Sequence, residues 1–181
     1  MTFSATAIVI MGISGCGKST LGAGLAEATG YRFVEGDDLH PAENIAKMSA
    51  GIALSDDDRW PWLERIAEVL SSAKAGDGCI VSCSALRYAY RHLLRTRSPE
   101  GLLFVFPHLP TDIVRARLRD RPNHYMPPSL IDSQVATLEL PRPDEPVLTI
   151  NGAADPSRCV DLVMSFLSTP QISPRHSLTH I

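Results

Sequence analysis

The sequence holds little lysine. Only Lys18, Lys47 and Lys74 occur beside fourteen arginines, and Lys+Arg number 17 against 20 Asp+Glu. The net charge of −3 excludes a general polyanion binder, which would carry a clear basic excess. Long apolar runs are also missing. Ala7–Met11 and Leu102–Phe106 are the longest candidates, far short of the ~18 residues of a membrane helix. The N-terminus shows neither a basic n-region nor a cleavage site, so no secretory signal is expected. The four cysteines (Cys16, Cys79, Cys83, Cys159) match no dense disulfide framework and no zinc spacing. Cys79 and Cys83, four apart in an apolar run, read as buried thiols. A cytoplasmic location is the expectation that these shortages leave. No internal repeat is found.

What is present is an ordinary globular composition, 44% hydrophobic and 20% charged over 181 residues, which fits one domain. Short apolar runs alternate with helical patterns. Strands are expected at Ala7–Met11, Arg32–Glu35, Ile80–Cys83, Leu102–Phe106 and Val147–Ile150. Helical spacing links Trp62, Ile66, Val69 and Leu70, then Val114 with Leu118, then Leu130, Val135 and Leu138, then Val160, Val163 and Leu167. Lys18–Thr29 reads as the first helix. The alternation predicts an α/β fold with a five-stranded, mainly parallel sheet flanked by helices, with strand 2 beside strand 1. The domain is expected to span residues 1–168, with 169–181 a flexible tail.

Gly12-Ile13-Ser14-Gly15-Cys16-Gly17-Lys18-Ser19 matches G-x-x-x-x-G-K-[ST] between a strand and a helix, the context that specifies a phosphate loop. Glycines let the backbone wrap a phosphate, and the helix N-terminus adds partial positive charge. Lys18 is expected on the β- and γ-phosphates and Ser19 on Mg²⁺. The ATP-contacting set is Gly12, Ser14, Gly15, Cys16, Gly17, Lys18, Ser19 and Thr20. No N-K-x-D guanine signature exists, and strand 3 ends Ser82-Cys83-Ser84 without an acid. A small-molecule kinase is therefore favoured over a switch or a motor.

Strand 2 runs into Glu35-Gly36-Asp37-Asp38-Leu39-His40-Pro41. Ligands gather at the carboxyl ends of parallel strands, and a kinase needs a carboxylate to accept the acceptor's hydroxyl proton. The bland alternative is a cap on a helix at Pro41–Met48. Both hold if Asp38 caps and Asp37 catalyses.

Gly36-Asp37-Asp38-Leu39-His40-Pro41 with Asn44-x-x-Lys47-Met48 resembles the gluconate kinase family of small P-loop enzymes. Further blocks extend the likeness: Leu54-x-Asp56-Asp57-Asp58-Arg59-x-Pro61-Trp62-Leu63, Cys83-Ser84-Ala85-Leu86-Arg87 with Tyr90-Arg91, His124-Tyr125-Met126-Pro127, and Thr137-Leu138-Glu139-x-Pro141. The resemblance covers roughly Ile8 to Leu167. It implies a shikimate kinase-like fold and phosphorylation of D-gluconate at its 6-hydroxyl, with ATP and Mg²⁺. It also implies a homodimer. By analogy with shikimate kinases, Glu35 takes the metal-side position and Asp37 the base position. Glu35 departs from the aspartate expected there.

Gluconate carries one carboxylate and a row of hydroxyls. Arg59 resembles a substrate-carboxylate arginine of shikimate kinases, and it equally suits pairing with Asp56–Asp58 at the start of a helix. His40 suits either a polyol hydrogen bond or packing at a helix entry. Arg87, at the carboxyl edge of strand 3, is the best placed for substrate, whereas Arg91 and Arg95 read as a solvated face. Arg117 and Arg121 share a helix face before the proline-bracketed segment 122–128. That segment looks like a nucleotide-kinase lid (about residues 119–131), and the family match assigns both arginines to ATP and the phosphoryl group. Gln134 follows the lid and suits either the polyol or a helix contact. Rival readings are a kinase for another sugar acid or shikimate, and a non-catalytic ATP-binding regulator.

Overall fold

The computed structural model describes residues 5–74, 76–98, 101–119 and 128–169. Five strands, β1 (Ala7–Ile10), β2 (Arg32–Glu35), β3 (Cys79–Ser82), β4 (Leu102–His108) and β5 (Val147–Asn151), alternate with helices. These are α1 (Lys18–Thr29), α2 (Ala42–Ser49), α3 (Asp56–Ser71), α4 (Tyr88–Arg97), α5 (Thr111–Arg119), α6 (Pro128–Thr137) and α7 (Pro156–Ser168). The sheet order is β2-β3-β1-β4-β5, with every neighbouring pair parallel.

Strand β1 is wholly buried, as a central strand covered on both faces must be. Its residues, and Met11 just beyond its end, divide by pleat. Ala7, Val9 and Met11 join Trp62, Ile66, Leu70, Tyr90 and Leu94, the core beneath α3 and α4. Ile8 and Ile10 join Leu21, Leu25, Val163 and Leu167, the core beneath α1 and α7. A third cluster forms around Ile13, Cys16, Leu86, Leu109 and Val114, with Leu118, Val135 and Leu138 packed against it. It seats α5 and α6 over the carboxyl edge of the sheet.

The α/β reading and all five strands stand, with β4 running two residues longer than its apolar pattern indicated. The placement of strand 2 beside strand 1 does not. Strand β3 lies between them, pairing with both. The burial explains the order. β3 is buried at all four positions, whereas β2 exposes Arg32 and half-exposes the rest, which suits an edge strand. Cys79 and Cys83 are buried thiols as expected. Among the described residues, no helix is long and apolar enough to cross a membrane.

Candidate active site

The chain leaves β1 at the point where the strand order reverses, the position at which open α/β sheets bind ligands. Gly15 and Gly17 adopt φ values of +83° and +96°, a region that L side chains avoid. Gly17 caps α1 without any side-chain hydrogen bond, which leaves the first amides of the helix directed at the loop. Lys18 Nζ folds back and donates to the carbonyls of Gly12 (3.0 Å) and Ile13 (3.1 Å). A cavity at this loop is bordered by Ser14, Gly15, Gly17, Lys18, Ser19 and Thr20, with Glu35, Asp37, Arg117 and Leu118 opposite. Gly12 and Cys16 do not line it. The Gly12 amide donates to the Ser84 carbonyl, and a Cβ there would come within 2.9 Å of Cys16 Sγ. Cys16 is buried and borders a neighbouring cavity with Thr20, Arg117, Gly152 and Cys159.

The end of β2 is pinned against β3. The Gly36 amide donates to Ser82 Oγ at 3.1 Å, Ser82 Oγ donates to Glu35 Oε2 at 2.5 Å, and Trp62 Nε1 donates to the Gly36 carbonyl at 2.7 Å. A Cβ on Gly36 would lie 2.0 Å from the Ser82 carbonyl oxygen, so only glycine permits this approach. The following short 3-10 turn, Gly36–Leu39, presents Asp37. Asp38 does not cap α2: Pro41 occupies the cap position and no side chain bonds there.

A second cavity adjoins the first. Asp37, His40, Met48, Leu54, Arg59 and Trp62 line one part of it, and Ser84, Leu86, Leu130, Ser133 and Gln134 another. Ser14, Lys18 and Asp37 border both cavities. His40 is buried and stacks on Trp62 with ring centres 4.2 Å apart. Asn44 Nδ2 meets His40 Nδ1 at 3.2 Å and also donates to the Asp58 carbonyl at 2.7 Å. With Asn44 donating, Nδ1 accepts and Nε2 carries the ring proton. Burial pushes the His40 pKa down. Asp37 opposes that shift and Arg59 reinforces it. His40 therefore both packs at the helix entry and faces the cavity.

Arg59 enters from the first turn of α3. Ser55 and Asp58 close a capping box there, and Lys47 holds Asp58 at 2.6 Å. The Lys47 and Ser55 hydrogen bonds bring the Asp58 carboxyl down to about 2. Arg59 is 8% exposed. Its Nη1 donates to Tyr90 Oη at 3.1 Å and lies 3.7 Å from Asp56 Oδ1. Arg87 does not line either cavity. Its Nη1 donates to Asp56 Oδ2 at 2.6 Å, so the arginine expected nearest the substrate is turned to a carboxylate instead.

Arg91 is not on a solvated face. It is 1% exposed, with a two-pronged ion pair to Glu145 at 2.6 and 2.9 Å. Its Nη1 also donates to the carbonyls of Ala85, Leu86 and Glu139. Ala85 has φ +41°, so the arginine braces a strained turn next to Ser84. Gln134 Oε1 accepts the Ser14 amide at 2.7 Å, which ties α6 to the phosphate loop. Arg117 Nη2 donates to the Gly152 carbonyl at 3.1 Å and borders the phosphate cavity. Arg121 and residues 120–127, most of the segment of about 119–131 expected to be a lid, lie outside the described residues. So does the tail beyond Thr169. Arg119 ends α5 and Pro128 begins α6. Trp62, Asn44, Ser84 and Ser133 were not singled out for the site by the sequence. Ser84 carried a usable signal, since it lies two residues past the carboxyl end of β3, the strand that pairs with β1.

A phosphate loop on a five-stranded parallel sheet, with a carboxylate shared by a phosphate cavity and an adjoining polar cavity, defines a small P-loop kinase. The shikimate kinase family model matches residues 14–142. A gluconokinase of Gluconobacter oxydans is 45% identical over 82% of this chain and 84% of its own. The thermosensitive gluconokinase of Escherichia coli is 43% identical over 76% of this chain and 73% of its own. The crystal structure of a gluconokinase from Sinorhizobium meliloti superposes with a TM-score of 0.83, at 46% identity, covering 92% of this chain and 93% of that one. The chain belongs to the gluconokinase family, within the wider group that the shikimate kinase model describes.

Proposed function

We propose that the protein transfers the γ-phosphoryl group of ATP to the 6-hydroxyl of D-gluconate, giving 6-phospho-D-gluconate and ADP. The observation that carries this reading is the position of Asp37, bordering both the phosphate cavity and the polar cavity beside it. An acceptor hydroxyl in the second cavity can give its proton to that carboxylate while its oxygen attacks phosphorus. The P–O bond to the β-phosphate breaks, and ADP leaves with the electron pair.

Lys18, common to both cavities, faces the charge that develops on the transferring group. To do so it exchanges its two loop carbonyls for phosphate oxygens. Arg117, which borders the phosphate cavity, adds positive charge to the transferring group, and the family resemblance gives Arg121 the same role. Arg59 offers its guanidinium to the gluconate carboxylate. Among the described residues, the only hydrogen bond of the guanidinium runs from Nη1 to Tyr90, so donors remain for a ligand. His40 Nε2–H and Gln134 serve the polyol.

Among the described residues, no three His, Cys, Asp or Glu side chains cluster around a metal position. Mg²⁺ needs no such cluster, since it keeps waters and phosphate oxygens and takes one or two protein oxygens. The Ser19 hydroxyl and Glu35 carboxylate border the phosphate cavity and would hold it. When bound, the ion neutralises charge on the β- and γ-phosphates. Four buried free thiols suit a reducing cytoplasm.

A coupled ADP-release assay across gluconate, related aldonates and shikimate tests the reading. Gluconate is expected to support the highest kcat/KM. Activity with shikimate alone would overturn the assignment, and tight ATP binding without turnover of any acceptor would replace it with a regulatory role.

A further inference from the structure

We infer that Tyr90, with Asp56 behind it, is a positioning pair that aims Arg59 at the acceptor's carboxylate. This deepens the gluconate kinase reading and rests on it. Tyr90 lies on α4, is 1% exposed, and does not line the acceptor cavity. Its hydroxyl makes two bonds in series. It accepts from Arg59 Nη1 at 3.1 Å and donates to Asp56 Oδ1 at 2.5 Å. The ring also lies 5.8 Å from Arg59 Cζ, and it meets Trp60 edge-on at 5.3 Å. One nitrogen of a buried guanidinium is thus fixed from behind, while the side chain borders the cavity in front.

The physical need is specific. A buried guanidinium costs desolvation unless charge and hydrogen bonds compensate it. A carboxylate in direct contact would compensate Arg59 fully and compete with the substrate. Here Asp56 stands at 3.7 Å from Arg59, and its other oxygen is taken by Arg87 at 2.6 Å. The tyrosine hydroxyl therefore reaches the guanidinium where Asp56 does not. Burial first, and then the bond to Asp56, push the Tyr90 pKa up, so the hydroxyl keeps the proton that it donates. The result is an arginine that is oriented and partly neutralised yet still able to pair with one more carboxylate.

The test is Tyr90→Phe in the full-length protein, which keeps the ring and removes only the hydroxyl. The KM for gluconate should rise about tenfold, as for loss of a charged hydrogen bond. The kcat and the KM for ATP should stay within about twofold. Asp56→Asn should also raise the gluconate KM, and the double variant should cost less than the product of the two single effects. An unchanged gluconate KM in Tyr90→Phe would overturn the inference. Parallel loss of kcat and both KM values with a lowered melting temperature would also overturn it, since that marks a packing role. If the unsubstituted enzyme phosphorylates gluconate and Tyr90→Phe does so equally well, only this inference falls. If the unsubstituted enzyme does not use gluconate, both fall.

Discussion

Arg91 and Glu145 form a buried, two-pronged ion pair, at 2.6 and 2.9 Å, that joins α4 to the segment before β5. Their side chains are 1% and 3% exposed. Removing one partner of such a pair strands the other in a poorly solvating interior, at about 3–5 kcal/mol. Arg91→Met should therefore lower unfolding free energy by roughly 3 kcal/mol in urea titrations. Arg91→Met with Glu145→Met should recover a good part of that loss. Burial pushes the Glu145 carboxyl up, but its bonds to Arg91 and to the Arg142 amide outweigh this and hold it below the usual range. Its stabilising effect is then complete above the unfolded pKa of about 4.3 and is lost as pH falls through the lower native value.

Arg59 and Arg87 share Asp56 but face different surroundings. Arg59 borders the acceptor cavity, and Arg87 is 41% exposed and spent on Asp56. Arg59→Lys should raise the gluconate KM at least about tenfold, because a point charge cannot replace the planar fork. Arg87→Lys should change it by less than about threefold, the scale of an exposed ion pair. Steady-state kinetics at saturating ATP separates the two. The reverse order would return Arg87 to the substrate.

His40 supplies a pH signature. Its pKa is lowered by burial, against Asp37 and with Arg59. The native state thus keeps the ring neutral where the unfolded chain takes a proton. The stability contributed is full above the unfolded value near 6.5, declines as pH falls below it, and is lost once pH passes the native pKa. Melting temperatures of the native enzyme and His40→Gln, measured from pH 7.5 to 5, should converge toward the acid end. A constant difference across that range would contradict the assignment.

Much of this was legible in the chain because short-range physics decides it. The continuous apolar runs of β1 and β4 are too short for buried helices and rich in β-branched or aromatic residues, which marks buried strands, and the phosphate loop is specified by backbone needs within eight residues. The edge position of β2 is not legible in the sequence. It depends on β3 competing for the centre of the sheet, and it shows only in the folded chain, as the half-exposed pattern of Arg32–Glu35. Arg91 was misread for a related reason. Helical spacing places Arg87, Arg91 and Arg95 on one face, but nothing local reveals that Glu145, 54 residues later, folds onto that face. Arg87 was placed by proximity to β3, whereas the Asp56 carboxylate that captures it comes from the capped start of α3.

Asp37 is the residue on which the account turns, since it borders the phosphate cavity and the acceptor cavity together. The most direct measurement is gluconate-dependent ADP release by Asp37→Asn, with ATP affinity determined by titration on the same preparation. Turnover should fall by about 10²–10⁴-fold, the usual range for a general base, while ATP affinity stays within about threefold. Near-normal turnover by this variant would contradict the account.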